Sequence, residues 1–303
     1  MSLPFRFGVS LPFMTSRDEW IAKCRRAEEL GYDVILIPDH LGMPAPFPSL
    51  LLAAEVTERP RVGTFVLNSG FHNPTLLARE AFTTDLLTGG RLELGFGAGY
   101  DPDEVKQAEL PWQPPGRRVD HLEHVVRTVR RLATDDSVRP RPTQPLGPPL
   151  MVAGSGDRVM RFAARHADTV AFSGVKPAPT GVDNPHVVGD TPSPYTLAEA
   201  EAVDERVRFV RAAAEGREKA PEFNVIVQNV AVTRDRRGTA EKLREAGPDL
   251  SVDQLLEVPT LLIGTVEEMA EQLRAHRERF GFSYITVVEP FMDDFAGVIE
   301  KLH

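Results

Sequence analysis

Val34-Ile35-Leu36-Ile37-Pro38-Asp39-His40 is the stretch on which the reading of this chain turns. Four large apolar residues in a row suit a strand buried on both faces, since a strand with one wet face would alternate with polar residues. Pro38 ends the run, and two titratable side chains follow. Sites in parallel α/β architectures lie at the carboxyl ends of the strands. A strand that stops on Asp39 and His40 therefore puts both where chemistry is done.

The sequence on either side repeats the same unit. Upstream, Phe5-Arg6-Phe7-Gly8-Val9-Ser10-Leu11 reads as a first strand. Ser16 and Glu19 have the spacing of a capping box, which satisfies two helix-end amides reciprocally. Trp20, Cys24, Ala27 and Leu30 then recur at helical spacing, and Gly31 supplies a left-handed stop. Downstream, a helix over 49–58 leads to a third strand at 61–67. Asn73 caps a helix whose first residue is Pro74, where the missing N–H costs nothing, and which stops at Gly89-Gly90. A fourth strand covers 91–96, and a helix over 117–134 carries Leu122, Val125, Val129 and Leu132 on one face.

Further strands are expected at 150–153, 169–172, 223–232 and 284–288. Helices are expected at 157–166, 196–215, 238–246 and 251–257, then from Thr265, with Glu268 completing a second capping box, and at 293–302. Eight strands alternating with helices predict an α/β fold, an eight-stranded parallel (TIM-type) barrel forming a single domain over 1–303. A doubly wound open sheet is the alternative, disfavoured because the Gly-rich turns fall mid-chain and not after strand one. Two segments without periodicity, 100–116 and 174–195, are expected to be cap loops.

Composition narrows the function. Hydrophobic residues make up 42% of the 303, enough for a large core. A net charge of −9 argues against a duplex nucleic-acid binder, which needs a basic face. The single cysteine, Cys24, leaves neither an internal disulfide nor a thiolate metal cluster. No apolar run reaches membrane-spanning length, and residues 1–16 lack a signal-peptide pattern. The expectation is a soluble cytoplasmic protein acting on a small molecule, with no metal, nucleic-acid or membrane partner.

Strand ends select the candidate site: Asp39-His40, Asn68 to His72, Gly97-Ala98-Gly99-Tyr100, Gly154-Ser155-Gly156, Ser173-Gly174 and Glu289-Pro290. Glycine at a strand end admits a flat ligand or a phosphate that a Cβ would block. Gly154-Ser155-Gly156, turning directly into a helix, suits a phosphate, although a plain tight turn has the same composition. Gly95 to Gly99 departs from a dinucleotide fingerprint at Tyr100 and Pro102 and better suits a floor under a flat ring. His40, as the residue type suited to moving protons near neutral pH, is the candidate for proton transfer or substrate polarisation; it could equally satisfy neighbouring backbone groups. Asp39 could also be a helix cap. His72 reads as a loop histidine, and His121 and His124 as a solvated helix face, lacking the spacing and third ligand of a zinc site.

Together these motifs resemble the bacterial-luciferase-like superfamily, in particular its branch of oxidoreductases dependent on the deazaflavin coenzyme F420. The resemblance rests on Phe7-Gly8-Val9, Ala27 to Asp33, Asp39-His40, Val62-Gly63-Thr64, Asn73-Pro74, Gly90 to Gly99 and Ala153-Gly154. It implies a luciferase-like barrel with cap insertions, a homodimer, and hydride transfer between F420 and a small organic substrate. By the same likeness the ring lies across the barrel mouth beside His40 and Asp39, with a non-proline cis peptide near Phe65-Val66 and Asn68 close by. Gly97 and Gly99 would line the ring, and Gly154, Ser155 and Gly156 would hold the cofactor phosphate. The alternatives on the same barrel are a monooxygenase using reduced FMN and a non-catalytic flavin-binding protein.

The chain also departs from the pattern. Sugar-phosphate dehydrogenases of this family carry a carboxylate just after the strand-four glycines, where this chain has Tyr100, so an acid role does not transfer. The aromatic residue expected soon after Asp-His is missing, with Pro44 and Phe47 nearby instead. No basic cluster in 174–195 suits a phosphorylated substrate.

Overall fold

The run at 34–37 is a fully buried strand between two parallel neighbours. In the computed structural model, which describes residues 3–177, 195–245 and 250–303, it is the second of eight barrel strands. These are β1 (Arg6–Ser10), β2 (Val34–Ile37), β3 (Arg61–Thr64, continued by Leu67–Asn68), β4 (Leu92–Gly97), β5 (Leu150–Ala153), β6 (Thr169–Phe172), β7 (Glu222–Val227) and β8 (Phe282–Val288). All pair in parallel. β8 closes the ring between β1 and β7, and β3 meets β4 on the other side of β2. The fold is the expected closed barrel.

Two shells of apolar residues follow from the period of two along each strand. Phe7, Val9, Ile35, Val62, Leu94 and Ile285 point outward into the main core beneath the helices. Val34, Leu36, Met151, Ala171 and Tyr284 fill the barrel interior. The first inward position of four strands is charged instead. Glu93 Oε1 accepts from Arg6 at 2.6 Å and from Arg61 at 2.5 Å, and Glu222 takes the other arm of Arg6 at 2.7 Å. Arg6 also lies 3.9 Å over the Tyr284 ring. The amino end of the barrel is thus closed by a charge cluster that no local pattern announced.

Most helix starts behave as their sequences dictate. Asn73 accepts from the amides of Thr75 and Leu76, with Pro74 in the first turn. Thr265 and Glu268 form a full capping box. Ser16 caps the Arg17–Glu29 helix, but Glu19 turns to Thr15 and not to the Ser16 amide, so that box is half formed.

Four expectations are corrected. The helix expected at 49–58 begins earlier, at Pro46. Segment 100–116 is not all loop, because Pro102–Gln107 is helical: Asp101 accepts from the amides of Asp103 and Glu104, and Pro102 opens the turn. The seventh strand does not run through 223–232. It leaves the barrel after Val227, and Asn229–Val232 pairs in parallel with Leu261–Gly264, a strand the pattern missed. Of the expected cap loop at 174–195, residues 178–194 lie outside the described residues. Its flanks, Val175–Pro177 and Tyr195–Leu197, form an antiparallel pair. Among the described residues no helix is long and apolar enough to cross a membrane.

His276, on the Val266–Phe280 helix, is 6% exposed, and its Nδ1 has no partner among the described residues. Burial, with the Arg279 and Arg236 guanidiniums adding to it, lowers its pKa from 6.5 to about 4. The folded state therefore holds it neutral where the unfolded chain binds a proton. Its contribution to stability is complete above pH 6.5 and falls away as the pH drops towards 4, on the order of 3 kcal/mol in all. Urea midpoints measured against pH should show that decline in the wild type and much less of it in His276→Gln. Parallel curves for the two proteins would contradict this.

Candidate active site

Pro38 ends β2 just as the chain reaches the barrel mouth, so the next two side chains lie at the rim. His40 Nδ1 is 2.7 Å from Glu104 Oε1, which arrives from the Pro102–Gln107 helix. The imidazole edge also meets the Tyr100 ring, centroids 5.7 Å apart, and Tyr100 in turn meets Tyr195 at 6.4 Å. Burial, together with Glu104 and Asp101, pushes the Tyr100 hydroxyl pKa up. An ionised carboxylate can only accept, so facing one Nδ1 carries a proton, and in the neutral imidazole Nε2 keeps the lone pair.

Asp39 is tied inward. Its Oδ2 accepts from the Asn68 amide at 3.1 Å and lies 2.9 Å from His72 Nε2. It does not cap the following helix, whose N-cap is Ala45. Instead it fastens the end of β2 to the far part of β3, just past the cis peptide bond Phe65–Val66. Phe65 and Val66 are partly buried against the interior cluster. Asn68 accepts from the Gly70 amide through Oδ1. A Cβ on Gly99, at φ +71°, would fall 2.5 Å from that same oxygen, and one on Gly97 would fall 2.9 Å from Val66. The strand-four glycines are thus required by close approach of β3, whose Val66 and Asn68 occupy the space their side chains would take.

Gly154-Ser155-Gly156 stands one strand further round. The β4–β5 register, Phe96 opposite Val152, puts Gly154 level with Ala98. Gly154 lets the Asp157–His166 helix close over β5, since a Cβ there would strike Val159 at 2.6 Å. Ser155 and Gly156 are exposed, and nothing lies within 4 Å of a Cβ position on Gly156. The helix end faces open space with its first amides unspent.

Of the residues singled out from sequence, Asp39, Asn68, Val66, Gly97 and Gly99 form one connected wall, with His40 at its rim. Gly154 to Gly156 are separate from it by a strand. Three partners escaped the reading. His72, whose place before Asn73 suggests only a loop residue, lies 2.9 Å from Asp39. His121, on a helix face whose sequence suggests solvent, reaches the His72 carbonyl at 3.2 Å and is half-buried. Glu104 supplies a carboxylate to His40 from the Pro102–Gln107 helix; the Asp-Pro-Asp-Glu run at 101–104 is the available signal for that helix. Among the described residues no cluster of ligating side chains could hold a metal ion.

The chain belongs to the luciferase-like monooxygenase family, whose model matches residues 1–187, more than half of its length. It is similar to the F420-dependent glucose-6-phosphate dehydrogenase of Intrasporangium calvum, 35% identical over 168 residues, 47% of this chain and 50% of that one. The corresponding enzyme of Amycolatopsis mediterranei is 31% identical over 166 residues, 47% and 49% of the two chains. The chain spans about half the length of the curated relatives it matches.

An F420-dependent secondary alcohol dehydrogenase, solved with an F420–acetone adduct, superposes with a TM-score of 0.74 at 16% identity, over 99% of this chain and 100% of that one. A long-chain alkane monooxygenase does so with 0.73 at 15% identity, over 100% and 92%. At such identities these two establish the fold alone.

A flat ring with a phosphate-bearing arm fits the residues present. The open helix end at Ser155 and Gly156 accepts the phosphate, and the ring would lie against the partly buried Phe65 and Val66, since Val66 and Asn68 already fill the Cβ positions of Gly97 and Gly99.

Proposed function

We propose that this chain is an F420-dependent oxidoreductase that moves a hydride between the deazaflavin and a small organic substrate. The observation that carries the reading is the His40–Glu104 pair at the mouth of a barrel whose sequence relatives use F420. When bound, the deazaflavin supplies a carbon that takes or gives a hydride. The protein's part is positioning and proton handling.

Oxidising an organic substrate by hydride loss leaves a proton to be removed. His40 Nε2 takes it, and Glu104 stabilises the imidazolium through Nδ1. Asp39 holds His72 and the Asn68 amide, which keeps β3 and its cis peptide against the ring site. Phe65 and Val66 face the ring, and Gly97 and Gly99 support it from behind by making room for Val66 and Asn68. Gly154, Ser155 and Gly156 bind the phosphate through helix-end amides. Phe13, Leu41, Tyr100 and Trp112, all exposed in loops that follow barrel strands, offer apolar surface to an organic substrate.

Anaerobic incubation with F420 and a panel of alcohols should bleach the deazaflavin with stoichiometric product. Bleaching by none of them, with cofactor still bound, would favour a non-catalytic protein.

Ser155→Asp tests the phosphate site. An acidic residue at a helix start favours the helix, so the fold should be as stable as before. Cofactor affinity should fall about tenfold or more, because the new carboxylate meets the phosphate. Unchanged affinity in a titration would move the phosphate elsewhere.

We further propose a cytoplasmic homodimer. Leu76, Leu86 and Leu87, each more than half exposed on and near one side of the Pro74–Leu87 helix, give it an apolar surface to bury. Sedimentation at twice the mass of 33.5 kDa supports the dimer; a monomer at micromolar concentration contradicts it.

A further inference from the structure

Beside the His40 site lies a second cavity of about 190 Å³, which borders the same wall at Asn68. The Pro102–Gln107 helix belongs to both, with Glu104 meeting His40 and Val105 lining the cavity. The cavity has two unlike walls. Ala98, Val105, Leu110, Pro111 and the Trp112 indole make one of them apolar. Arg117, Arg118, His121 and Gln113 stand in the other, and no Asp or Glu contributes to the lining.

Arg118 is the anomaly. Its guanidinium lies 4.2 Å from the Trp112 ring centroid, and Nη1 donates to the Gly99 carbonyl. Its Nε is buried and has no partner among the described residues, and no carboxylate pairs with it there. Burial pulls its pKa down, offset in part by the Tyr195 phenol and by no carboxylate. Elsewhere in this acidic chain arginines such as Arg6, Arg158 and Arg279 are each held by two or more carboxylates. A half-buried guanidinium left without a carboxylate, flanked by His121 and by Arg117, itself 3.7 Å from Asp120, is arranged for an anion that comes from outside.

We propose that this cavity binds the carboxylate end of a compact apolar organic acid. The cationic wall takes the oxygens, with the Arg118 fork matching the planar carboxylate. The aromatic and aliphatic wall takes the hydrocarbon body, which is why an organic acid fits better than inorganic phosphate. The inference stands on the chain alone and needs no cofactor, so its failure and the failure of the hydride-transfer reading are separate results.

The two tryptophans make the test direct. Trp20 is fully buried, whereas Trp112 is 42% exposed and lines the cavity. Cyclohexanecarboxylate, which does not absorb with tryptophan, should change the cofactor-free protein's fluorescence saturably. Cyclohexanecarboxamide and inorganic phosphate should each bind about tenfold more weakly or worse. Arg118→Gln should weaken the carboxylate by a similar factor, with circular dichroism showing the fold retained. Equal affinity for carboxylate and carboxamide overturns the proposal without recourse to any variant. So does phosphate binding as tightly as the carboxylate, or an Arg118→Gln protein with unchanged affinity.

Discussion

His40→Ala lowers turnover by about 10²–10⁴-fold, the range that a positioned proton-transfer group supplies, while cofactor affinity is little changed. The two effects separate because His40 sits at the rim, held by Glu104 and edged by Tyr100. The wall beneath the ring is built by Asn68, Val66 and the strand-four glycines. Glu104→Gln should fall in between, since it keeps a hydrogen-bond partner for Nδ1 but loses the charge that stabilises the imidazolium. Steady-state kinetics at saturating cofactor, with cofactor binding titrated separately, checks both. A His40→Ala enzyme with full turnover removes the proton-transfer role.

Glu93→Ala destabilises the fold by about 3–5 kcal/mol, the usual result of breaking a buried ion pair from one side. One carboxylate oxygen serves both Arg6 and Arg61, and the Glu93 side chain is only 9% exposed. Removing it leaves Arg6 with Glu222 alone and Arg61 with carbonyl and amide oxygens alone. The Arg6 and Arg61 side chains keep 24% and 30% of their surface in water, so the loss belongs towards the lower end of that range. Glu93→Leu, which fills the space, should lose as much, because the uncompensated charges and not the missing volume set the cost. Chemical denaturation gives the figure. A loss under about 1 kcal/mol would mark the cluster as an ordinary surface network.

The barrel could be read from sequence because its determinants are local. The buried runs at 34–37, 92–97 and 169–172, the Asn73-Pro74 start, the Thr265–Glu268 box and Gly31 at φ +89° each write one element within a few residues. What sequence missed is set by distance. Glu93 sits in an unremarkable strand pattern and acquires its role from Arg6, 87 residues away. Glu104 meets His40 across 64 residues. The departure of the chain from the barrel after Val227 has no local signal, because the residues that follow still read as strand and only their partner, Leu261–Gly264, has changed. Asp39 and His40 were placed correctly at a strand end, but their opposite attachments, one inward to β3 and one outward to the cap helix, are tertiary facts.

Equilibrium titration of the purified protein with F420 and, separately, with oxidised and reduced FMN tests the central claim most directly. The account predicts saturable F420 binding, weakened in Ser155→Asp and preserved in His40→Ala, with FMN binding much more weakly in either redox state. Tight FMN binding with none for F420 would contradict it and place the chain with the flavin-dependent monooxygenases of its family.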